Sequence, residues 1–212
     1  AWIYKKVHST LRGHPGGELY ELMEGIGAAC ALVAPAFPRQ GRTTLDGLHY
    51  VHGAPLATTA FGDEVPVSDV RVRFAVGMPA HSIDHVPLSV VREGADAVAD
   101  LLESSGLRVF VADAELDADL VCLARAAHAS RTRVLCGSAG LAQALAEVIS
   151  QEGGSEVAVV KGNASPARPR TLDPADWRGD GVLVVAASRH SATVGQVDAL
   201  SRAGADVVSP SI

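Results

Sequence analysis

Three consecutive strand–helix repeats between residues 88 and 150 constrain the fold of this chain more than any other feature of its sequence. The repeats are predicted as strand 88–91 with helix 95–104, strand 107–112 with helix 117–129, and strand 133–136 with helix 139–150. Such a series builds a parallel sheet with helices on its faces, because each helical crossover returns the chain to the same edge of the sheet. The leading prediction is an α/β fold with a Rossmann-like, doubly wound, mostly parallel sheet.

The first 35 residues predict one more strand–helix–strand unit. Residues 1–7 and 28–35 are predicted as strands, and the helix between them begins near Pro15 and ends before Gly27. In open α/β sheets, ligands bind outside the carboxyl ends of the strands. The segments that follow these two strands are therefore the first places to look for a site.

The stretch from Lys5 to His14 is the first of these segments and a candidate anion-binding loop. It holds two lysines, two hydroxyl side chains, an arginine and a glycine, which together suit a carboxylate or a phosphate. Solvated surface charge is the alternative interpretation, and the stretch alone does not decide between the two. Residues 1–45 carry five Lys and Arg against three Glu, whereas the whole chain has a net charge of −6. A positive region in an acidic protein favours a small anionic ligand over a nucleic acid.

Residues 35–47 are predicted as an irregular loop, because two prolines and two glycines interrupt regular structure there. This loop is expected to bring Arg39 and Arg42 near Arg12. Residues 48–56 predict a β-hairpin with its turn at His52-Gly53. Residues 57–85 show no clear periodicity and are predicted as loops around one short element.

Two polar positions lie at the starts of predicted helices, and the first of them has two interpretations. The turn Gly137-Ser138-Ala139-Gly140 leads from a strand into a helix, so Ser138 could help to hold an anion or could simply be the N-cap residue. Asp117 is predicted to cap the helix at 117–129.

The domain organisation is predicted from a change of composition after residue 150. Residues 1–150 form a first domain that lacks its first strand, glycines and prolines mark a linker at 151–180, and residues 181–212 begin a second α/β domain. The second domain is predicted to open with strand 182–187, helix 191–202 and strand 205–209. Because one such unit cannot bury its own apolar faces, the chain is expected to be part of a larger protein.

Cysteine usage and hydropathy favour a soluble, cytoplasmic protein with no membrane partner. The three cysteines are unclustered and lie in apolar runs, which indicates neither a disulfide framework nor a zinc site. No apolar run reaches the roughly 18 residues that a membrane-spanning helix needs.

Several motifs in the same order resemble the four-carbon acid sugar kinase family. They are Lys6–Gly13, Pro35–Thr43 followed by Asp46-Gly47 and His49–Val51, Val111–Ala114, Gly137–Ala142 and Ala187–Thr193. The resemblance implies an ATP-dependent kinase with an N-terminal substrate domain and a C-terminal nucleotide domain. Such a kinase phosphorylates a terminal hydroxyl of a tetronate or 3-oxo-tetronate.

The resemblance also implies roles for individual residues. Lys6 and Arg12 would be catalytic, and the carboxylate and hydroxyls of the substrate would be bound by Ser9, Thr10, Arg12, Gly13, Gly41, Arg42, His49 and Ser138. Ser188 would contact the nucleotide. The implied cofactors are ATP and Mg²⁺, with no metal ligands assigned in this chain. A homodimer is a further possibility.

The sequence departs from the family pattern at His8, which stands where the family has an aspartate. The family's first strand, with its aspartate pair, and its glycine-rich nucleotide loops are also absent from these 212 residues. A second hypothesis is therefore a non-catalytic sugar-acid-binding module. A nicotinamide-dependent oxidoreductase is disfavoured because no Gly-x-Gly-x-x-Gly motif follows any of the predicted strands.

Overall fold

Parallel strands form the central sheet of the computed structural model, as the strand–helix repeats predict. The structure describes residues 2–78, 83–103, 108–130 and 132–151, together with three later strands at 157–161, 182–186 and 207–208. The strands are β1 (Trp2–Lys6), β2 (Cys30–Ala34), β3 (Arg42–Leu45), β4 (Leu48–Val51), β5 (Ala54–Pro55), β6 (Ile83–Val86), β7 (Arg108–Ala112), β8 (Val134–Gly137), β9 (Val157–Lys161), β10 (Val182–Ala186) and β11 (Val207–Val208). The helices are α1 (Pro15–Ile26), α2 (Val70–Ala75), α3 (Leu88–Glu93), α4 (Ala95–Glu103), α5 (Asp117–Ala129) and α6 (Ala139–Gln151).

The strand order of the large sheet is β11-β9-β10-β1-β8-β2-β7-β6. Every pairing in it is parallel. Strand β8 lies between β1 and β2 although it follows them in sequence, which is the crossover pattern of a doubly wound sheet. The α/β prediction is confirmed.

Alternating side chains of the strands fill two apolar cores, one on each face of the sheet. Leu32 and Phe110 belong to the core that packs against α4, α5 and α6. Their neighbours Val33 and Val109 belong to the core under α1 and α2. Because both faces are buried, the strands read as continuous apolar runs, and this is why they were recognisable in the sequence.

A small antiparallel sheet, ordered β3-β4-β5, extends from the carboxyl edge of the large one. The predicted hairpin with a turn at His52-Gly53 is confirmed, because Val51 pairs with Ala54. The prediction of an irregular loop over 35–47 is wrong for its second half. There β3 pairs with β4 across a second tight turn at Asp46-Gly47, where Asp46 has φ 53° and Gly47 has φ 77°. Two positive φ values mark a type I′ turn, for which Asp-Gly is a preferred sequence.

Three other expectations differ from the structure. The predicted strand at 88–91 is helix α3, in which Leu88 and Val91 are buried. The prediction was wrong because two adjacent valines favour a strand locally. The strand at this edge of the sheet is β6 instead. Residues 57–85 hold helix α2 and strand β6 in addition to part of the 3₁₀ turn at Leu56–Thr58. Asp117 does not cap α5, since the carboxylate of Asp119 accepts the backbone N–H groups of Glu115 and Leu116 at 2.9 Å each.

Beyond residue 151, strands β10, β9 and β11 continue the large sheet on the far side of β1. The predicted helix at 191–202 lies outside the described residues, and the boundaries 1–150, 151–180 and 181–212 stay a prediction. Within the described part of the chain, no helix is both long and apolar enough to cross a membrane.

Candidate functional site

A cleft of about 220 Å³ opens at the carboxyl end of β1, where the candidate anion-binding loop leaves the sheet. The residues that line it are Lys6, Val7, His8, Arg12, Gly13, Pro15, Glu18 and Glu64. Three of the predicted site residues, namely Lys6, Arg12 and Gly13, therefore share one cavity. His8 lines it as well, so the position at which the sequence departs from the family pattern faces the cleft.

The loop from Val7 to Gly13 has a tightly wound backbone. The amide of Leu11 donates to the carbonyl of His8 at 2.9 Å, and Leu11, with φ 55°, is one of the non-glycine residues in the left-handed region. Gly13 has φ 86°. Because a leucine pays a conformational cost there, surrounding contacts must hold the loop in this shape.

Arg73 on α2 supplies those contacts. Its Nε donates to the carbonyl of Leu11 at 3.1 Å, and its Nη2 donates to the carbonyl of Gly13. The guanidinium of Arg73 is thus hydrogen-bonded to the backbone on both sides of Arg12. Sequence reasoning missed Arg73, because it lies in the segment 57–85 where no periodicity identified an element.

Helix α1 reinforces the same arrangement, since it follows the loop directly and touches α2 backbone to backbone. A β-carbon built on Gly16 would come within 2.0 Å of the carbonyl oxygen of Phe74. No residue larger than glycine fits at this contact without displacing one helix. The start of α1 and the end of α2 therefore fix the loop between them.

Lys6 lies at the end of β1 and lines the cleft. Burial, with the nearby charges of Lys5 and Arg12 adding to it, lowers the pKa of Lys6 from its usual range. Lys6 and Arg12 both line the cleft and repel each other. An anionic ligand is favoured there, since its charge would relieve that repulsion.

Arg12 pairs with Glu64 at 3.5 Å, and both side chains are partly exposed. An ion pair of this kind in contact with solvent contributes little free energy, typically below about 1 kcal/mol. A ligand carboxylate can therefore replace Glu64 on the guanidinium at small cost.

His49, predicted as a substrate contact, is fully buried. Its Nε2 lies 2.7 Å from the carbonyl of Ser9, and its Nδ1 lies 3.0 Å from the hydroxyl of Thr44. Burial lowers the pKa of His49 to about 4; the bond to Ser9 opposes this change and the charge of Arg42 adds to it. The imidazole is thus neutral at pH 7, with Nε2–H donating to Ser9 and Nδ1 accepting from Thr44, and it ties the small sheet to the loop.

Ser138 is also buried. Its hydroxyl donates to the carbonyl of Ala36 at 2.7 Å and accepts the amide of Gly140 at 3.1 Å. Of the two interpretations that the sequence leaves open, the geometry favours the N-cap. The carbonyl of Ser138 accepts from the hydroxyl of Tyr4 at 2.5 Å, so this turn joins β1, β2 and α6.

Those of the remaining predicted residues that the structure describes do not belong to the lining of the cleft. Gly41, in the left-handed conformation with φ 66°, ends the 3₁₀ turn at Pro38–Gln40, and Arg42 follows it at the start of β3. Arg39 pairs with Asp117 at 2.5 Å. Thr10 is buried within the loop and Ser9 is partly exposed. Ser188 lies outside the described residues.

Asp113, at the end of β7, organises a second region of the same sheet edge. Its carboxylate is fully buried and accepts the amides of Asp46 and Gly47 at 2.9 Å each and that of Leu88 at 3.2 Å. His85 Nε2 lies 3.1 Å from Oδ1. The sequence indicated Asp113 as the end of a predicted strand and as part of the motif Val111–Ala114. It did not indicate the residues that Asp113 contacts, since these lie far away along the chain.

No group of three or more His, Cys, Asp or Glu side chains that could hold a metal ion occurs among the described residues. The two carboxylates of the cleft are each engaged by a cation, Glu18 by Lys5 and Glu64 by Arg12. The described side chains therefore provide no preformed metal site.

Residues 1–145 match the family model described as a sugar-binding N-terminal domain. The chain is 35% identical over 189 residues to a D-threonate kinase of Salmonella typhimurium, covering 86% of this chain and 45% of that protein. It is 39% identical over 167 residues to a D-threonate kinase of Cupriavidus necator, covering 72% and 38%. A D-erythronate kinase of Heliobacterium modesticaldum is 33% identical over 173 residues, with 76% and 39% covered. The chain thus spans less than half the length of these relatives.

Solved structures show the same fold. A Salmonella typhimurium protein described as a putative tRNA synthase superposes with a TM-score of 0.63 at 19% identity, covering 93% of this chain and 59% of that one. A Bordetella bronchiseptica domain of unknown function, described as a domain-swapped dimer with bound citrate, superposes with a TM-score of 0.60 at 26% identity, covering 97% and 61%.

Proposed function

Because the chain belongs to the sugar-binding N-terminal domain family of the four-carbon acid sugar kinases, we propose that it is the substrate-binding part of an ATP-dependent kinase. The proposed substrate is a tetronate or 3-oxo-tetronate, phosphorylated on a terminal hydroxyl. The observation that carries the proposal is the cleft at the end of β1, where Lys6 and Arg12 lie together within the part of the chain that matches the family.

The proposed binding mode follows from the charges of the cleft. Arg12, whose fork of N–H donors matches a carboxylate, exchanges Glu64 for the acid group of the substrate. Ser9, Thr10 and the backbone at Gly13 provide hydrogen-bonding groups close to it. Lys6 neutralises oxygens of the substrate or of the transferred phosphoryl group. Gly41 and Arg42 close the side of the small sheet, while His49 and Ser138 hold the surrounding backbone in place.

Phosphoryl transfer depends mainly on positioning and on neutralising charge. In the proposal ATP supplies the phosphoryl group, Ser188 contacts the nucleotide, and Mg²⁺ arrives with the phosphates. Lys6 and Arg12 hold the acid end so that the terminal hydroxyl points towards the nucleotide. A homodimer is part of the proposal, supported by the domain-swapped Bordetella relative.

A coupled assay of ADP release from the full-length protein tests the kinase proposal. The panel is D-threonate, D-erythronate and 3-oxo-tetronates with ATP and Mg²⁺, and we expect release that depends on one of these acids. No acid-dependent ADP release from any member would overturn the proposal.

Calorimetry tests the site itself. Arg12→Ala should abolish measurable sugar-acid binding, because a hydrogen-bonded charge pair with the ligand is lost. Arg125→Ala removes an exposed arginine on α5 and serves as the matched control. Unchanged affinity in the Arg12 variant would move the site elsewhere.

His8 supports a second candidate function, a sugar-acid-binding module without kinase activity. A histidine in place of an aspartate replaces an anionic acceptor with a group that is neutral or cationic near pH 7. Binding of a tetronate without ADP release by the full-length protein would select this second function, and His8→Asp would then show whether the substitution is its cause.

A further inference from the structure

The ion pair between Lys5 and Glu18 connects the interior of the protein to the cleft. The side chain of Lys5 is 4% exposed, and its Nζ donates to Oε2 of Glu18 at 2.5 Å. An ammonium group is buried at large cost unless an anion compensates it. Cys136, which lies close to both charges, does not supply that anion, because burial raises its pKa to about 12. Glu18 is therefore the counter-charge of Lys5.

The other end of Glu18 faces the ligand cavity. Its side chain is 45% exposed, and the residue lines the same cleft as Lys6 and Arg12. The second carboxylate oxygen, Oε1, is directed towards Gly13, where a β-carbon would lie 3.7 Å from it. Glycine at that position adds no side chain that would cover Oε1 from this direction. Oε2 of Glu18 is thus held by Lys5, while Oε1 lies on the side of Gly13, which also lines the cleft.

A fixed carboxylate next to two cations selects for a particular kind of ligand. Lys6 and Arg12 attract the acid group of a ligand, whereas Oε1 repels a second acid group and accepts a hydrogen bond from a hydroxyl. Glu64 is less constrained, because its partner Arg12 is itself partly exposed. The arrangement complements a molecule that carries a carboxylate and a hydroxyl a few bonds apart.

We propose that Glu18, fixed by Lys5, is a specificity-determining residue that binds the hydroxyl groups of a hydroxy acid. It distinguishes a polyhydroxylated acid from a simple carboxylic acid of the same length. This inference rests on the proposed function and adds to it the group that recognises the hydroxylated part of the substrate.

The test compares the affinities of the full-length protein for D-threonate and for butanoate, which has the same carbon number and no hydroxyl. Glu18→Gln should weaken threonate binding about tenfold, because a charged acceptor becomes a neutral one, and should leave butanoate binding unchanged. Glu21→Gln, an exposed position on the same helix, should bind both acids as the wild type does. An equal loss for both acids, or no loss for either, would overturn the inference.

A second variant removes both charges, so that no buried ammonium is left without a partner. Lys5→Met combined with Glu18→Met should lose the preference for threonate over butanoate, and a thermal melt shows whether it is folded. If it keeps the wild-type preference, the inference is wrong. If the wild-type protein binds no sugar acid, the proposed function fails and this inference fails with it; threonate binding that is unaffected by either variant contradicts the inference alone.

Discussion

The loop after β1 and the region after β7 lie at the same carboxyl edge of the sheet but use their polar groups in opposite ways. After β7, the buried carboxylate of Asp113 accepts hydrogen bonds from three backbone amides of the small sheet and α3. After β1, Lys6 and Arg12 line an open cleft. The comparison separates groups that build the edge from groups that are available to a ligand, although both sets are charged residues at strand ends.

His49 joins the two regions. It sits in the small sheet, bonds to Thr44 on β3, and donates to the carbonyl of Ser9 in the loop. The buried region thereby supports the ligand-facing one. If this division is right, substitutions after β7 should reduce stability first, and substitutions around the loop should reduce binding with a smaller effect on stability.

The largest expected effect is that of Asp113→Ala. Removing the carboxylate leaves the amides of Asp46, Gly47 and Leu88 without their acceptor in a buried place, so the free energy of unfolding should fall by about 3–5 kcal/mol. Urea denaturation measures this loss. The control is Asp100→Ala, an exposed position on α4, which should change stability by no more than about 0.5 kcal/mol. A similar small change for both variants would show that the Asp113 carboxylate does not stabilise this edge of the sheet.

The lowered pKa of His49 predicts that the stability of the protein depends on pH. The pKa of His49 is about 4 in the folded protein, against 6.5 for an unperturbed histidine, so between these values the unfolded chain binds more protons than the folded one. The contribution is complete above pH 6.5, and about 3 kcal/mol is lost as the pH falls from 6.5 to about 4.

Urea unfolding of the wild type and of His49→Gln at several pH values between 7 and 4 measures this contribution. The variant should show a shallower decrease of stability with falling pH. His14→Gln, which removes an exposed histidine, should keep the wild-type decrease. Parallel curves for the wild type and His49→Gln would contradict the prediction.

The smallest expected effect belongs to Arg73, which positions the loop without lining the cleft. Arg73→Ala removes the two donors that hold the backbone around Arg12 and should weaken sugar-acid binding about five- to tenfold, equivalent to roughly 1 kcal/mol. Calorimetry measures the affinity. Arg73→Lys, which keeps the charge and can reach one carbonyl, should recover part of it. Binding equal to that of the wild type in the alanine variant would show that the loop keeps its shape without this support.

Much of the fold followed from local pattern. Most helices and strands could be predicted to within a few residues of their bounds, because the apolar residues of each segment follow a recognisable local pattern. These elements are strands β1, β2, β7 and β8 and helices α1, α4, α5 and α6. Strand β3 was missed because its stability comes from pairing with β4 through the Asp46-Gly47 turn. Helix α3 was mistaken for a strand because Val90 and Val91 favour one locally, whereas Leu88 and Val91 are buried with helical spacing.

The sequence by itself determined the fold class, the family and the position of the cationic loop, since these depend on residues that are close together along the chain. The tertiary structure decided which charged groups remain available to a ligand and which are bonded within the protein. Glu18 lies 13 residues from Lys5, Arg73 lies 62 residues from Leu11, and Asp113 lies 67 residues from Asp46. Whether a polar group is consumed inside the protein or faces a ligand depends on the partner that folding brings to it. That partner comes from a distant part of the chain, where local sequence pattern carries no information about it.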